Sequence, residues 1–233
     1  MNNVQLIQKT IFLKTKTLIL GDVHIGLESS MNKNGVLIPR FQFNDLKKET
    51  EELLKKLKPK KVVINGDVKH NFGSVSKEEW KQTIEYINLI TKYCEIIILE
   101  GNHDKLLKII AEKKEIELKE YYYEEGIYVV HGDKIPKDEE FKKAKTIIIG
   151  HEHPSISLRM GTRQETYKCF LKGEYESKEL IVMPSMHELS EGTDVLKEKL
   201  ISPFLKKGVK HFHVYIVDQE PRYFGKVGDL INL

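Results

Sequence analysis

Gly101-Asn102-His103-Asp104 packs an amide, an imidazole and a carboxylate into one turn, directly after the apolar run Ile96, Ile97, Ile98, Leu99. Such a run reads as a buried strand, and the polar groups leaving it need partners. Four further apolar runs end alike, in Gly21-Asp22-Val23-His24, Asn65-Gly66-Asp67, His131-Gly132 and Gly150-His151-Glu152-His153. Ligands in α/β proteins gather at the carboxyl ends of strands, so the pattern places Asp22, His24, Asp67, Asn102, His103, His131, His151 and His153 at one edge. Without metal these groups would compete for few partners, whereas two divalent cations would satisfy them together. The donors are nitrogen and oxygen without sulfur. That set favours manganese, iron or zinc over copper(I) or an iron-sulfur cluster; manganese is the ion expected, with iron, zinc or nickel as alternatives. A carboxylate such as Asp67 can give one oxygen to each of two metals, which then share a hydroxide that attacks phosphorus while His103 protonates the leaving oxygen.

The elements that must carry these turns are legible as far as Gly150. Leu46, Leu53, Leu54 and Leu57 follow helical spacing between the first two strands, with Pro59 just past the end. Ser76 with Glu79 forms a capping-box start for a second helix, and Asp104 can cap a third, lined by Leu106, Leu107 and Ile110. Residues 25–39 read as a long irregular loop. From Ser155 the pattern changes to short strands and turns, a second and mostly antiparallel sheet. The organisation expected is one domain over 1–233, with βα repeats over 1–154 carrying most ligands and the second sheet over 155–233.

Composition narrows the class. Apolar residues make up 40% of the 233, enough for a sizeable core. A formal net charge of +3 is too small for a dedicated nucleic-acid binder, though it does not exclude nucleic acid as a substrate. Cys94 and Cys169 make no CxxC pair, which argues against a thiolate zinc site and a disulfide framework. With neither a signal-peptide pattern nor an apolar stretch of membrane-spanning length, the expectation is a cytoplasmic protein.

As an ordered set, DVH (22–24), GD (66–67), GNHD (101–104), HG (131–132) and GHEH (150–153) resemble the calcineurin-like metallophosphoesterases. The resemblance implies a four-layer α/β-β/α sandwich of two mixed sheets flanked by helices. It implies one metal on Asp22, His24, Asp67 and His153, a second on Asp67, Asn102, His131 and His151, and His103 over the leaving group. Phosphoprotein phosphatases are disfavoured, since Val68 and Lys69 follow Asp67 and the third block ends in Asp104. The stretches 35–42, 65–73 and 184–194 are similar to small archaeal phosphoesterases related to the SbcD nuclease and to DNA-ligase-associated phosphoesterases. The expected activity is hydrolysis of phosphodiesters in nucleic acids or nucleotides, with DNA or a nucleotide as the candidate partner, no membrane partner and a homodimer left open. Alternatives are a phosphomonoesterase or cyclic-nucleotide phosphodiesterase, and a catalytically silent interaction scaffold.

Around this centre, His70, Arg40, Arg159, Arg163 and His187 are candidate substrate contacts. Guanidinium suits phosphate oxygens, but surface ion pairs explain an arginine as well. His211 and His213 form an HxH pair with no carboxylate or amide beside it, and read as solvent-facing. Tyr121, Tyr122 and Tyr123 could stack bases, though packing is the commoner role of such a run.

Overall fold

Short runs of Ile, Val and Leu, bounded by Gly, Asn, Lys or Glu, become the strands of two mixed sheets. The computed structural model describes residues 3–39, 41–71, 76–104, 107–114, 116–190 and 192–231. The chain divides into two compact units, one of Met1–Gln5, Ile11–Glu120 and Met186–Leu189, the other of Leu6–Thr10, Tyr121–Ser185 and Ser190–Leu233.

The first sheet runs in chain order: β1 (Val4–Ile7), β2 (Thr10–Leu13), β3 (Thr17–Gly21), β4 (Lys61–Asn65), β5 (Glu95–Leu99) and β6 (Glu117–Lys119). The last four are parallel, with Gly21 opposite Asn65 and Asn65 opposite Leu99, while β2 runs antiparallel to β3. That register brings the turns after β3, β4 and β5 out side by side. Of the helices α1 (Leu27–Lys33), α2 (Gln42–Leu57), α3 (Lys77–Thr91) and α4 (Leu107–Lys114), α2 has the simplest code. It buries Phe43, Leu46, Thr50, Leu53 and Leu54 on one stripe and ends at Lys58, which is left-handed, just before Pro59. Ser76 caps α3 by accepting the Glu79 N–H at 3.0 Å.

Helix α1 lies where the sequence suggested an irregular loop. Its buried positions include Glu28 and Ser29, so no apolar period marks it. Hydrogen bonds take the place of apolar contact: Glu28 accepts from Gln42 N at 3.1 Å, and Ser29 donates to Glu78 at 3.1 Å. The expected helical face of α4 lies partly outside the described residues, which omit Leu106 and the Ile110 side chain.

The second sheet contains β7 (Tyr121–Glu124), β8 (Ile127–Val130), β9 (Thr146–Ile149), β10 (Pro154–Met160), β11 (Arg163–Tyr175), β12 (Lys178–Val182), β13 (Thr193–Asp194), β14 (His213–Val217) and β15 (Pro221–Lys226). Its order is β13-β10-β11-β12-β9-β8-β7, with β14 on β11 and β15 on β14. Short helices α5 (Glu139–Lys143) and α6 (Val227–Leu230) complete this unit, and Tyr128, Phe141, Ile147, Leu171, Leu180, Phe204, Phe212 and Val214 contribute to its core. Here the structure corrects the sequence reading. Strands β8 and β9 belong to the second sheet, because β9 pairs in parallel with both β8 and β12. The five strands that end in the polar turns are therefore divided between two sheets, and the change falls after Glu120 rather than after residue 154.

Candidate metal centre

In the first unit, three parallel strands each end in a turn that carries polar side chains. The turns after β3 and β4 are tied by their backbones: His24 N donates to Asp67 O at 2.8 Å, Ile25 N to Val68 O at 2.8 Å, and His70 N back to Ile25 O at 2.9 Å. Gly101, opening the turn after β5, lies so close to Asp67 that a Cβ there would sit 2.2 Å from Asp67 Oδ1 and 2.3 Å from its nitrogen. The Asp67 carboxylate accepts the His103 N–H at 3.0 Å. Its Oδ2 stands 3.6 Å from His103 Nε2 and 3.9 Å from His24 Nε2. Asp22 and Asp67 are 0% and 2% exposed. Buried carboxylates with imidazole nitrogens just beyond hydrogen-bond reach are an arrangement that fits a cation.

The surrounding residues hold this geometry. The Asp104 carboxylate accepts from Val68 N at 3.1 Å, Lys69 N at 3.4 Å and Gly101 N at 3.2 Å, bracing the β4 turn against the β5 turn. His103 Nδ1 is hydrogen-bonded to the His70 carbonyl, which assigns the proton to Nδ1 and leaves Nε2 toward Asp67. Lys69 is 1% exposed, and its amine donates to the carbonyls of Asn71 and His103. Glu79, also buried, accepts from His70 N at 3.1 Å, Asn71 N at 3.0 Å and Asn71 Nδ2 at 2.8 Å. Burial pulls the His70 imidazole below its ordinary pKa; Glu79 opposes that pull and Lys69 adds to it.

In the second unit, His131 and His151 leave β8 and β9. His131 Nε2 and His151 Nδ1 lie 3.2 Å apart, close to the separation of about 3.3 Å at which two nitrogens meet one ion with bonds of about 2.0–2.1 Å. His153 Nδ1 is 3.1 Å from Ser190 Oγ, and Lys168 fixes that segment by donating to the carbonyls of Ser190 at 2.7 Å and Ser185 at 3.1 Å. Glu152, between His151 and His153 in the chain, accepts from Ser202 N at 2.7 Å and Ile201 N at 3.0 Å. Burial raises its pKa, against the pull of these hydrogen bonds.

Asp22, His24, Asp67, His151 and His153 all have left-handed backbones, with φ of 44°, 47°, 45°, 63° and 46°. Side chains other than glycine resist this region at a cost of about 1–2 kcal/mol each. Gln8, Lys16, Lys58, Glu125, Glu176 and Ser177 share that backbone elsewhere, but these five cluster on residue types that can bind metal, as strain at functional sites does.

The remaining expected contacts are scattered. His70 stacks against His103, with ring centroids 5.7 Å apart. His187 is buried in the first unit, accepts from Leu189 N at 3.3 Å, and follows Met186, whose N–H donates to Gly21 O at 3.0 Å. Arg159 and Arg163 are exposed near the end of the β10–β11 hairpin. At about 3.3 Å per residue that puts Arg159 on the order of 20 Å along the strand from His153. Arg40 lies outside the described residues. His211 is exposed and His213 bonds the Tyr223 hydroxyl at 3.2 Å, while Tyr121 stacks on Tyr128 with centroids 4.7 Å apart. Sequence reasoning missed Lys69, Ser190 and the bracing role of Glu79. Only Glu79 left a signal, as the second half of its capping box.

A family model for calcineurin-like phosphoesterases matches residues 15–184. No curated protein matches the chain. Among solved structures, the nuclease MPE of Pseudomonas putida aligns with a TM-score of 0.65 at 17% identity, covering 95% of this chain and 100% of that one. The phosphoesterase YfcE of E. coli aligns with a TM-score of 0.39 at 13% identity, over 85% of this chain and 87% of that one. The first of these shares the fold. Among the described residues no helix is long and apolar enough to cross a membrane.

Proposed function

The chain belongs to the calcineurin-like phosphoesterase family, and from that premise we propose a dinuclear, manganese-activated phosphodiesterase acting on nucleic acid or nucleotide diesters. The observation that carries the reading is the left-handed backbone at Asp22, His24, Asp67, His151 and His153. Among the described residues, five of the eleven non-glycine residues with positive φ are these expected ligands, and strain of this kind clusters at functional sites. The ligand assignment is the one the resemblance implies, with Asp22, His24, Asp67 and His153 for one cation and Asp67, Asn102, His131 and His151 for the other. The substrate class rests on the similarity of 35–42, 65–73 and 184–194 to small archaeal phosphoesterases.

Bound divalent cations would neutralise charge on the phosphate oxygens and make a water molecule nucleophilic near neutral pH. The chain supplies the rest. The His70 carbonyl holds the His103 ring by Nδ1, so in the imidazolium the proton on Nε2 is the one available to a leaving oxygen. Asp67 Oδ2 stands 3.6 Å from that nitrogen. Lys69, through the His103 carbonyl, fixes the backbone that carries the ring.

The test is hydrolysis of an end-labelled single-stranded DNA oligonucleotide by chelator-stripped protein, before and after manganese, with His103→Ala beside it. Manganese-dependent cutting, reduced about a hundredfold or more by the substitution, is the expected result. Turnover of small phosphate monoesters alone would move the substrate class. Silence on all esters with metal bound would favour the scaffold.

A further inference from the structure

The family's ligand sets leave His70 and His103 unassigned to metal, yet both sit beside His24. One nitrogen from each of His24, His70 and His103 lies within 4.8 Å of the other two. The ring centroids are 5.6 Å apart for His24 and His70, 5.3 Å for His24 and His103, and 5.7 Å for His70 and His103. Asp67 Oδ2 is a fourth donor, 3.9 Å from His24 Nε2 and 3.6 Å from His103 Nε2. All four residues come from the turns after β3, β4 and β5, within one unit.

We propose that these four side chains form a zinc site that overlaps the activating metal sites at His24 and Asp67, adds His70 and His103, and inhibits the enzyme. Points at the corners of an equilateral triangle of 4.8 Å edge lie about 2.8 Å from its centre, against Zn–N bonds of about 2.0–2.1 Å. Each ring tip therefore closes by about 0.7 Å at most, within reach of a small side-chain rotation. Three imidazoles and one carboxylate suit a four-coordinate ion that takes nitrogen readily. Zinc stands above manganese in affinity for such donors, so the site selects the inhibitor over the activator. His70 has a donor to spare, since its Nδ1 is buried with no hydrogen-bond partner among the described residues. The His70 carbonyl on His103 Nδ1 already turns the Nε2 of His103 toward this centre.

Zinc bound there occupies the nitrogen from which His103 would hand over its proton, and draws on His24 and Asp67, so turnover falls. Only this effect on turnover rests on the phosphoesterase reading; binding itself does not.

The test takes the full chain, stripped with chelator and reloaded with manganese. Turnover of bis(4-nitrophenyl) phosphate is followed against buffered free zinc for wild type and His70→Gln, each normalised to its own zinc-free rate. The expected result is inhibition of wild type and a half-inhibitory zinc concentration about tenfold or more higher in the variant. Absence of inhibition, or equal sensitivity of the two proteins, overturns the proposal. Cobalt(II) gives a readout independent of catalysis. Metal-free wild type should develop the intense visible absorption of four-coordinate cobalt, and His70→Gln should lose it; a wild type without that band overturns the site. A protein that binds cobalt in this way but hydrolyses no ester with manganese would retain the zinc site and sink the phosphoesterase reading instead.

Discussion

Gly101→Ala isolates the close approach on which the Asp67 turn depends. Gly101 is not among the glycines with positive φ, so alanine suits its backbone and the effect is one of space. The added Cβ would lie 2.2 Å from Asp67 Oδ1 and 2.3 Å from Asp67 N, against an ordinary van der Waals separation of about 3.5 Å. Something must therefore move by about 1 Å. Neither side yields cheaply, because Asp67 N is backbone and the carboxylate is held by the His103 N–H at 3.0 Å. Overpacking of this kind costs about 1–3 kcal/mol, and a displacement of about 1 Å among reacting groups costs on the order of a hundredfold in rate. Urea unfolding followed by the fluorescence of the lone tryptophan, Trp80, and manganese-dependent turnover of bis(4-nitrophenyl) phosphate read the two effects. The control is Gly208→Ala, at φ +85° with nothing within 4 Å of the place its methyl would take. It should lose about 1 kcal/mol from the left-handed backbone and keep its rate. A Gly101→Ala protein with wild-type rate and stability within about 0.5 kcal/mol would refute the steric argument.

Two further outcomes are expected. Ser190→Ala removes the hydroxyl 3.1 Å from His153 Nδ1; manganese affinity by calorimetry should fall about 10–100-fold while stability drops by only about 1 kcal/mol, and unchanged affinity would show that Ser190 does not orient that ring. Burial pushes the Cys94 thiol up to about 11, so at pH 8.5 iodoacetamide should label it at least about tenfold more slowly in the native than in the urea-unfolded protein. The same shift means that above the unfolded thiol's pKa the unfolded state holds fewer protons, and stability falls as pH rises toward 11. A native labelling rate equal to the unfolded one would contradict the burial.

What is legible in the sequence depends on the kind of contact each segment makes. Strands β3, β4 and β5 are buried along almost their whole length, so their apolar runs stand out before any fold is assumed. Helix α2 presents one apolar stripe and is equally plain. Helix α1 escapes because its buried face is built on Glu28 and Ser29, whose partners, Gln42 and Glu78, lie 14 and 49 residues away. The division of strands between sheets is illegible for a related reason. A run such as Ile147, Ile148, Ile149 carries the same signal in either sheet, and its pairing with Leu180, Ile181 and Val182 is a long-range choice.

The site shows a sharper version of the same limit. Asp22, His24, Asp67, Asn102, His103, His131, His151 and His153 could be named because each breaks the apolar logic of the strand before it. The residues that hold them do not. Lys69 reads as one more surface lysine among 38 basic residues, yet it is buried with its amine on the carbonyls of Asn71 and His103. Asp104 reads as a helix cap, and that reading gives no hint that its carboxylate joins two turns through Val68, Lys69 and Gly101. Their roles follow from the strained backbone. Left-handed Asp22, His24 and Asp67 raise the energy of their turns by about 1–2 kcal/mol each, and the turns persist only if other contacts hold them. The buried Asp104 carboxylate, with hydrogen bonds to charge worth about 1.5–3 kcal/mol each, is of the right size to offset that strain in the turn after β4. The candidate ligands and their braces are therefore a single structural requirement, in which the sequence displays the half that breaks a pattern and conceals the half that completes one.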